Sequence, residues 1–256
     1  MNSEKTAICN AFAKASLGYD SIATIQQQAA LDLATFILNF ISPQIPQTAI
    51  DLGCGTGFLA KALRFHYPDL QLTLNDFSPK MIRKALSNHN HLDLPRIEEL
   101  EGDIEKITTN RRWDLVASNC AWQWLENPQR ALSNWTSRST DLALSIPLEG
   151  SFPEWKAIHS SLSLPLRLRK LPSLKEIQLW SQSTDLAYFE IQENTYTQTL
   201  NSPLDFARQL KATGASIPHS ETPISSLRKI QRLNSNPFTV TWNIAFLACH
   251  SRSPRL

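Results

Sequence analysis

Glycine is scarce in this 256-residue chain, with seven in all, at positions 18, 53, 55, 57, 102, 150 and 214. So few exclude a collagen-like or glycine-rich low-complexity protein and make any local cluster of them informative. The four cysteines (Cys9, Cys54, Cys120, Cys249) form no CxxC pair and have no histidine cluster nearby, which argues against a zinc site and a disulfide framework. No stretch approaches the roughly 18 unbroken apolar residues of a membrane helix. The opening Met1-Asn2-Ser3-Glu4-Lys5 lacks the basic start and apolar run of a signal peptide. A cytoplasmic protein without membrane association is therefore expected. The net charge of +2 is too small to argue for nucleic acid.

What is present is an ordinary globular composition, 42% apolar and 19% charged, on a chain long enough for one large core and a modest insert. The charge is uneven. Residues 1–149 hold 13 Lys/Arg against 16 Asp/Glu, whereas residues 150–256 hold 12 against 7. The basic excess lies near Arg167, Arg169, Lys170, Lys211, Arg228, Lys229 and Arg232. It is either a solvated face or a dock for an acidic partner.

Apolar residues recur at helical spacing over 22–41 up to Pro43. The run Ala49-Ile50-Asp51-Leu52 then predicts a strand, followed by a helix over 58–65. Strands are expected at 71–75, 97–101, 113–118 and 142–147, with helices at 78–88 and 128–135 between them. Ser78-Pro79 has the form of an N-cap with proline in the first helical position. Strands alternating with helices of this length build a mostly parallel sheet covered on both faces. Beyond residue 150, helices are expected at 152–161, 174–180 and 204–212, and strands at 186–197 and 238–249. This predicts a single α/β domain over 1–256: an N-terminal helical segment (1–44), a doubly wound core (45–150), a cap (151–235), and a last strand and tail (236–256).

Three glycines alternate within five residues between the first strand and its helix, in Asp51-Leu52-Gly53-Cys54-Gly55-Thr56-Gly57. Such spacing lets the backbone turn tightly and a ligand approach closer than a Cβ permits, while the helix behind it offers unpaired N–H groups. The dinucleotide fingerprint is G-x-G-x-x-G; here it is G-x-G-x-G after an acid. Asp51 would repel a pyrophosphate but accept from an ammonium, which favours S-adenosylmethionine. Asp76 ends the second strand, where an acid takes ribose hydroxyls, and Gly102-Asp103-Ile104 follows the third. Asp103 is placed to accept from an adenine amino group and Ile104 to pack on the ring. His66, His89 and His91 fall at helix ends or loops and read as solvated; His159 lies in the cap.

This ordered set resembles the class I S-adenosylmethionine-dependent methyltransferases over about residues 45–150. The resemblance implies a Rossmann-like seven-stranded sheet with an antiparallel last strand near 239–249 and a helical cap insert. It implies a cofactor site of Asp51, Gly53, Gly55, Gly57, Asp76, Phe77, Asp103, Ile104 and Asn119. The stretch before the fifth strand, residues 135–140, lacks the Pro-Gly-Gly turn of many such enzymes.

A narrower resemblance lies in Phe12-Ala13-Lys14-Ala15-Ser16-Leu17-Gly18-Tyr19-Asp20 continuing through Ala23 to Gln26, in Ser118-Asn119-x-Ala121-x-Gln123-Trp124, and in Leu210-Lys211-Ala212-Thr213-Gly214-Ala215. These are similar to segments of the biotin-pathway malonyl-acyl-carrier-protein O-methyltransferases. The resemblance implies esterification of a malonyl thioester on acyl carrier protein at its free carboxylate, which needs no general base. Arg169 is then expected to grip that carboxylate, or to serve the surface or carrier docking. Tyr19 is expected to close over the methionine, and Trp122 to wall the acyl pocket or pack in the core. Other readings remain: another small carboxylic acid or quinone precursor as acceptor, or a methyltransferase-like assembly factor without turnover.

Overall fold

Ala49-Ile50-Asp51-Leu52 forms the centre of strand β1 (Thr48–Leu52), buried from Ala49 onward. A strand apolar on both faces belongs inside a sheet covered on both sides. The computed structural model, which describes residues 3–40, 44–89, 97–166, 168–182, 184–213, 224–232 and 237–252, places it so. The remaining strands are β2 (Gln71–Asp76), β3 (Glu98–Glu101), β4 (Trp113–Asn119), β5 (Ser139–Pro147), β6 (Leu186–Leu200) and β7 (Phe238–Ser251). They form one seven-stranded sheet in the order β3-β2-β1-β4-β5-β7-β6. β1 to β5 run parallel, and β7 lies antiparallel between β5 and β6. The mostly parallel sheet with its antiparallel last strand is therefore as expected.

The helices are α1 (Ser3–Ala15), α2 (Tyr19–Ile22), α3 (Thr24–Phe40), α4 (Phe58–His66), α5 (Pro79–His89), α6 (Pro128–Thr136), α7 (Pro153–Ser161), α8 (Leu174–Gln182), α9 (Pro203–Ala212) and α10 (Ile224–Gln231). One core cluster joins α3 and α4 to one face of the sheet through Leu33, Ile37, Leu59 and Leu63. Another packs Trp122, Leu132, Trp135 and Ile177 on the opposite face. No helix among the described residues is long and apolar enough to cross a membrane.

Several local expectations differ from the structure. The helical pattern beginning at residue 22 is split at Ala23, α1 falls within the N-terminal segment expected to be helical, and α10 has no counterpart among the expected helices. Helix α5 does begin at Pro79, but Ser78 Oγ is buried without a partner among the described residues and caps none of them. Asp76 instead bends the chain, Oδ1 accepting from Ser78 N at 2.8 Å. Without glycine or proline, the turn before β5 closes through bonds from Ser137 N to Ser133 O and from Arg138 N to Trp135 O, both 3.1 Å. β6, in the stretch expected as a cap, is 15 residues long and forms the sheet's edge. Gly214, Ala215, Arg167 and His91 lie outside the described residues.

Candidate active site

The chain leaves β1 toward β2 on one side and returns through β4 on the other, so the carboxyl ends of β1 and β4 diverge. Ligands of doubly wound sheets bind at such a switch point. A cavity opens there, bordered by Asp51, Gly53 and Gly55 after β1, Asp76 and Phe77 after β2, Asp103 and Ile104 after β3, and Asn119 after β4. Eight of the nine residues expected around the cofactor thus meet in one place. Gly57 is the exception. It is the N-cap of α4, with φ +91°, and a Cβ there would lie 2.8 Å from His89 Cε1 rather than in the cavity.

Asp51 is 1% exposed, and among the described residues neither carboxylate oxygen has a partner within hydrogen-bond distance. Burial pushes its pKa up to about 7; the nearby Ala60 amide, too far for a hydrogen bond, offsets part of this, and Asp76 adds to it. An orphaned buried carboxylate is costly unless something cationic completes it. Gly55 points the same way: at φ +54°, a Cβ there would meet nothing within 4 Å, leaving an open cradle. Asp76 is better provided for, accepting from Gly55 N at 3.0 Å and from Ser78 N. Burial still raises its pKa to about 6, against the backbone amides of Ser78, Gly55 and Phe77. The site therefore fits a ligand with an ammonium group near Asp51.

Helix α1 roofs this cavity with Lys5, Ile8 and Phe12. Lys5 donates to Asp103 Oδ2 at 2.7 Å and to Glu105 at 2.5 Å. Asp103 Oδ1 also accepts from Glu105 N at 3.1 Å, so both of its oxygens are engaged. Nothing local in the sequence signals this ion pair, whose partners are 98 positions apart.

A second cavity adjoins the first and shares with it Phe12, Tyr19, Gln26, Cys120 and Trp124. Asn119 Nδ2 pins the Gln26 backbone, donating to its carbonyl at 2.9 Å. The walls beyond are apolar, including Phe152, Leu168, Leu210 and Trp242, with Arg169 as their one cation among the described residues. Arg169 Nε donates to Gln123 O at 2.7 Å, and its guanidinium lies 5.2 Å from the Trp124 ring centre.

Two sequence expectations are corrected. Trp122 is fully buried in the core cluster with Leu132 and Trp135 and borders neither cavity; Trp124, two residues on in the same 3-10 turn, faces both. His89 is not solvated but 4% exposed, wedged beneath Gly57. Burial holds its pKa down, as it does for His159, which packs on Trp155.

Residues 49–138 match the model of a methyltransferase domain. With the sheet order and the glycine loop, this marks an S-adenosylmethionine-dependent methyltransferase whose fold resembles that of the class I enzymes. Among such enzymes the chain resembles the malonyl-[acyl-carrier protein] O-methyltransferases. It is 26% identical to that of Neorickettsia risticii (strain Illinois) over 235 residues, 92% of each chain. It is 29% identical to that of Hahella chejuensis (strain KCTC 2396) over 242 residues, 91% of this chain and 83% of that one. The magnesium protoporphyrin IX methyltransferase of Synechocystis PCC 6803, solved with bound SAH, shares the fold, with a TM-score of 0.58 at 14% identity. That match covers 91% of this chain and 86% of the other.

Proposed function

We propose that this methyltransferase esterifies the free carboxylate of a malonyl thioester carried on acyl carrier protein, in the cytoplasm, as a step toward biotin. The observation that carries this reading is that, among the described residues, none shared by the two cavities is a usable base. Of the shared residues, the Tyr19 phenol is pushed up by burial, Cys120 is pushed up to about 12 for the same reason, and Gln26 does not titrate. Amines, phenols and carbon acids usually require a base, whereas a carboxylate is already ionised at neutral pH. Arg169 is the cation such an acceptor needs, in a chamber otherwise suited to an acyl chain. The two relatives described above carry names for this reaction.

S-adenosylmethionine, when bound, supplies the electrophilic methyl group. Asp51 would hold its ammonium, with the Gly53–Gly55 backbone as a cradle, and Asp76 its ribose. Phe77 and Ile104 would flank the adenine. Asp103, engaged by Lys5, borders that end with lone pairs to spare. Tyr19 and Gln26 would line the passage between cofactor and acceptor. Alignment and exclusion of water then account for the acceleration.

The decisive experiment supplies radiolabelled S-adenosylmethionine with malonyl-loaded carrier protein, malonyl-CoA or free malonate. Label in an ester of the carrier-bound substrate supports the proposal; no ester from any malonyl compound overturns it.

The carrier is acidic, so a basic face should dock it. Arg228, Lys229 and Arg232, on and just beyond α10, are exposed. Replacing Arg228 and Lys229 together with glutamate is expected to raise the KM for malonyl-carrier about tenfold and to flatten its salt dependence. The KM for S-adenosylmethionine should not change. Wild-type kinetics in that variant would remove α10 from the docking face.

A further inference from the structure

Two adjacent residues of α1 serve the two cavities separately. Lys5 reaches Asp103 at the cofactor cavity, whereas Glu4 Oε1 accepts from Arg169 Nη1 at 3.1 Å beside the acceptor cavity. Arg169 does not depend on Glu4 for its position. Its Nε is fixed on the Gln123 carbonyl and its face on Trp124, both neutral contacts. Its Nη2 makes no hydrogen bond among the described residues. Glu4 therefore contributes charge rather than placement. Its side chain is 56% exposed, against 21% for Arg169, so the pair opens to water on the Glu4 side. Ion pairs of this kind are weak and readily exchanged.

We propose that Glu4 is a specificity-determining residue. It is an exchangeable counter-ion that yields Arg169 to the acceptor's carboxylate and reclaims it once that carboxylate has become a neutral ester. The inference rests on the carboxylate-acceptor reading above. In that reaction a carboxylate oxygen bonds to the methyl carbon, and the sulfur–methyl bond breaks with its electron pair left on sulfur. The acceptor's negative charge and the sulfonium's positive charge disappear together, and no proton moves. Arg169 then faces a neutral ester, a poorer partner than Glu4. A substrate must displace Glu4 to reach the guanidinium and a product need not, so Glu4 weakens substrate binding, leaves product binding alone, and thereby sets how strongly the site prefers one over the other.

The test is a calorimetric titration of malonyl-loaded carrier protein, and separately of its methyl-ester form, into protein saturated with S-adenosylhomocysteine. Because both ligands carry the same carrier, their ratio isolates the carboxylate. Glu4→Gln should tighten binding of the malonyl form about two- to fivefold, leave the ester form unchanged, and leave S-adenosylhomocysteine affinity unaltered. Glu4→Asp should keep the wild-type ratio. An unchanged malonyl-to-ester ratio in Glu4→Gln overturns the proposal. So does parallel weakening of both forms or of S-adenosylhomocysteine, which would mean that Glu4 merely holds α1 in place. Wild-type protein that neither binds nor esterifies the malonyl form overturns the underlying reading as well; the failures above, seen with active wild type, overturn only this one.

Discussion

Replacing Asp51 with asparagine is expected to weaken S-adenosylmethionine binding by about 30- to 100-fold while making the ligand-free protein more stable. The loss follows from removing a charge-assisted hydrogen bond to the ammonium, on the order of 2–3 kcal/mol. The gain follows from the unpartnered state of both Asp51 oxygens. Its folded pKa of about 7 lies above the ordinary value of 3.8. The sign is therefore that of a group whose neutral form is favoured by folding. Its contribution is fully present below the unfolded value and is lost as pH rises through about 7. Asp76, raised to about 6, acts in the same sense over a narrower window. Ligand-free protein should thus lose stability from these groups between about pH 4 and 7, and cofactor affinity should climb as Asp51 ionises. Binding near pH 6 should also release a proton, measurable by calorimetry in buffers of different ionisation heat. The asparagine variant should lose Asp51's share of that release. If it bound the cofactor as tightly as wild type, Asp51 would have no role at the ammonium.

Two alanine substitutions in the same loop should fail in opposite ways. At Gly53, with φ +67°, a Cβ would sit 2.5 Å from the Ala121 Cβ. Left-handed backbone strain and a clash between two short, unyielding groups together cost about 2–5 kcal/mol, or roughly 5–15 °C in melting temperature for a domain of this size. At Gly55 the added methyl meets nothing within 4 Å, so only the conformational strain of about 1–3 kcal/mol applies. It projects into open space beside the cavity, and cofactor binding should be lost from a folded protein. Thermal unfolding and cofactor titration, run on both, separate the two. Equal melting temperatures for the variants would contradict the geometry at Gly53.

The parallel core was legible because a strand buried on both faces announces itself as a short apolar run, as Ala49-Ile50-Asp51-Leu52 does. Asn119 joined the site only through the family resemblance, whereas Asp51 and Asp76 could be placed together from the glycine loop and the strand ends. The roof could not. Lys5 meets Asp103, and Glu4 meets Arg169, across 98 and 165 positions, and no local periodicity encodes such pairs. Between Trp122 and Trp124 the sequence offers two equivalent tryptophans; the 3-10 turn after β4 decides which enters the core and which faces ligand. His89 was misread because a histidine at the end of a helix is usually wet. Here the missing side chain of Gly57 leaves the space that its ring fills.

Phe12, Tyr19, Gln26, Cys120 and Trp124 line both cavities, so the two chambers meet along a shared border. A single molecule joining an adenosyl-like end to a carboxyacyl end by a short tether would fill both chambers at once. Its second end would bind at the high effective concentration set by the first, without new contacts. The border that aligns two reactants for transfer thus also marks where a bisubstrate inhibitor should be bridged.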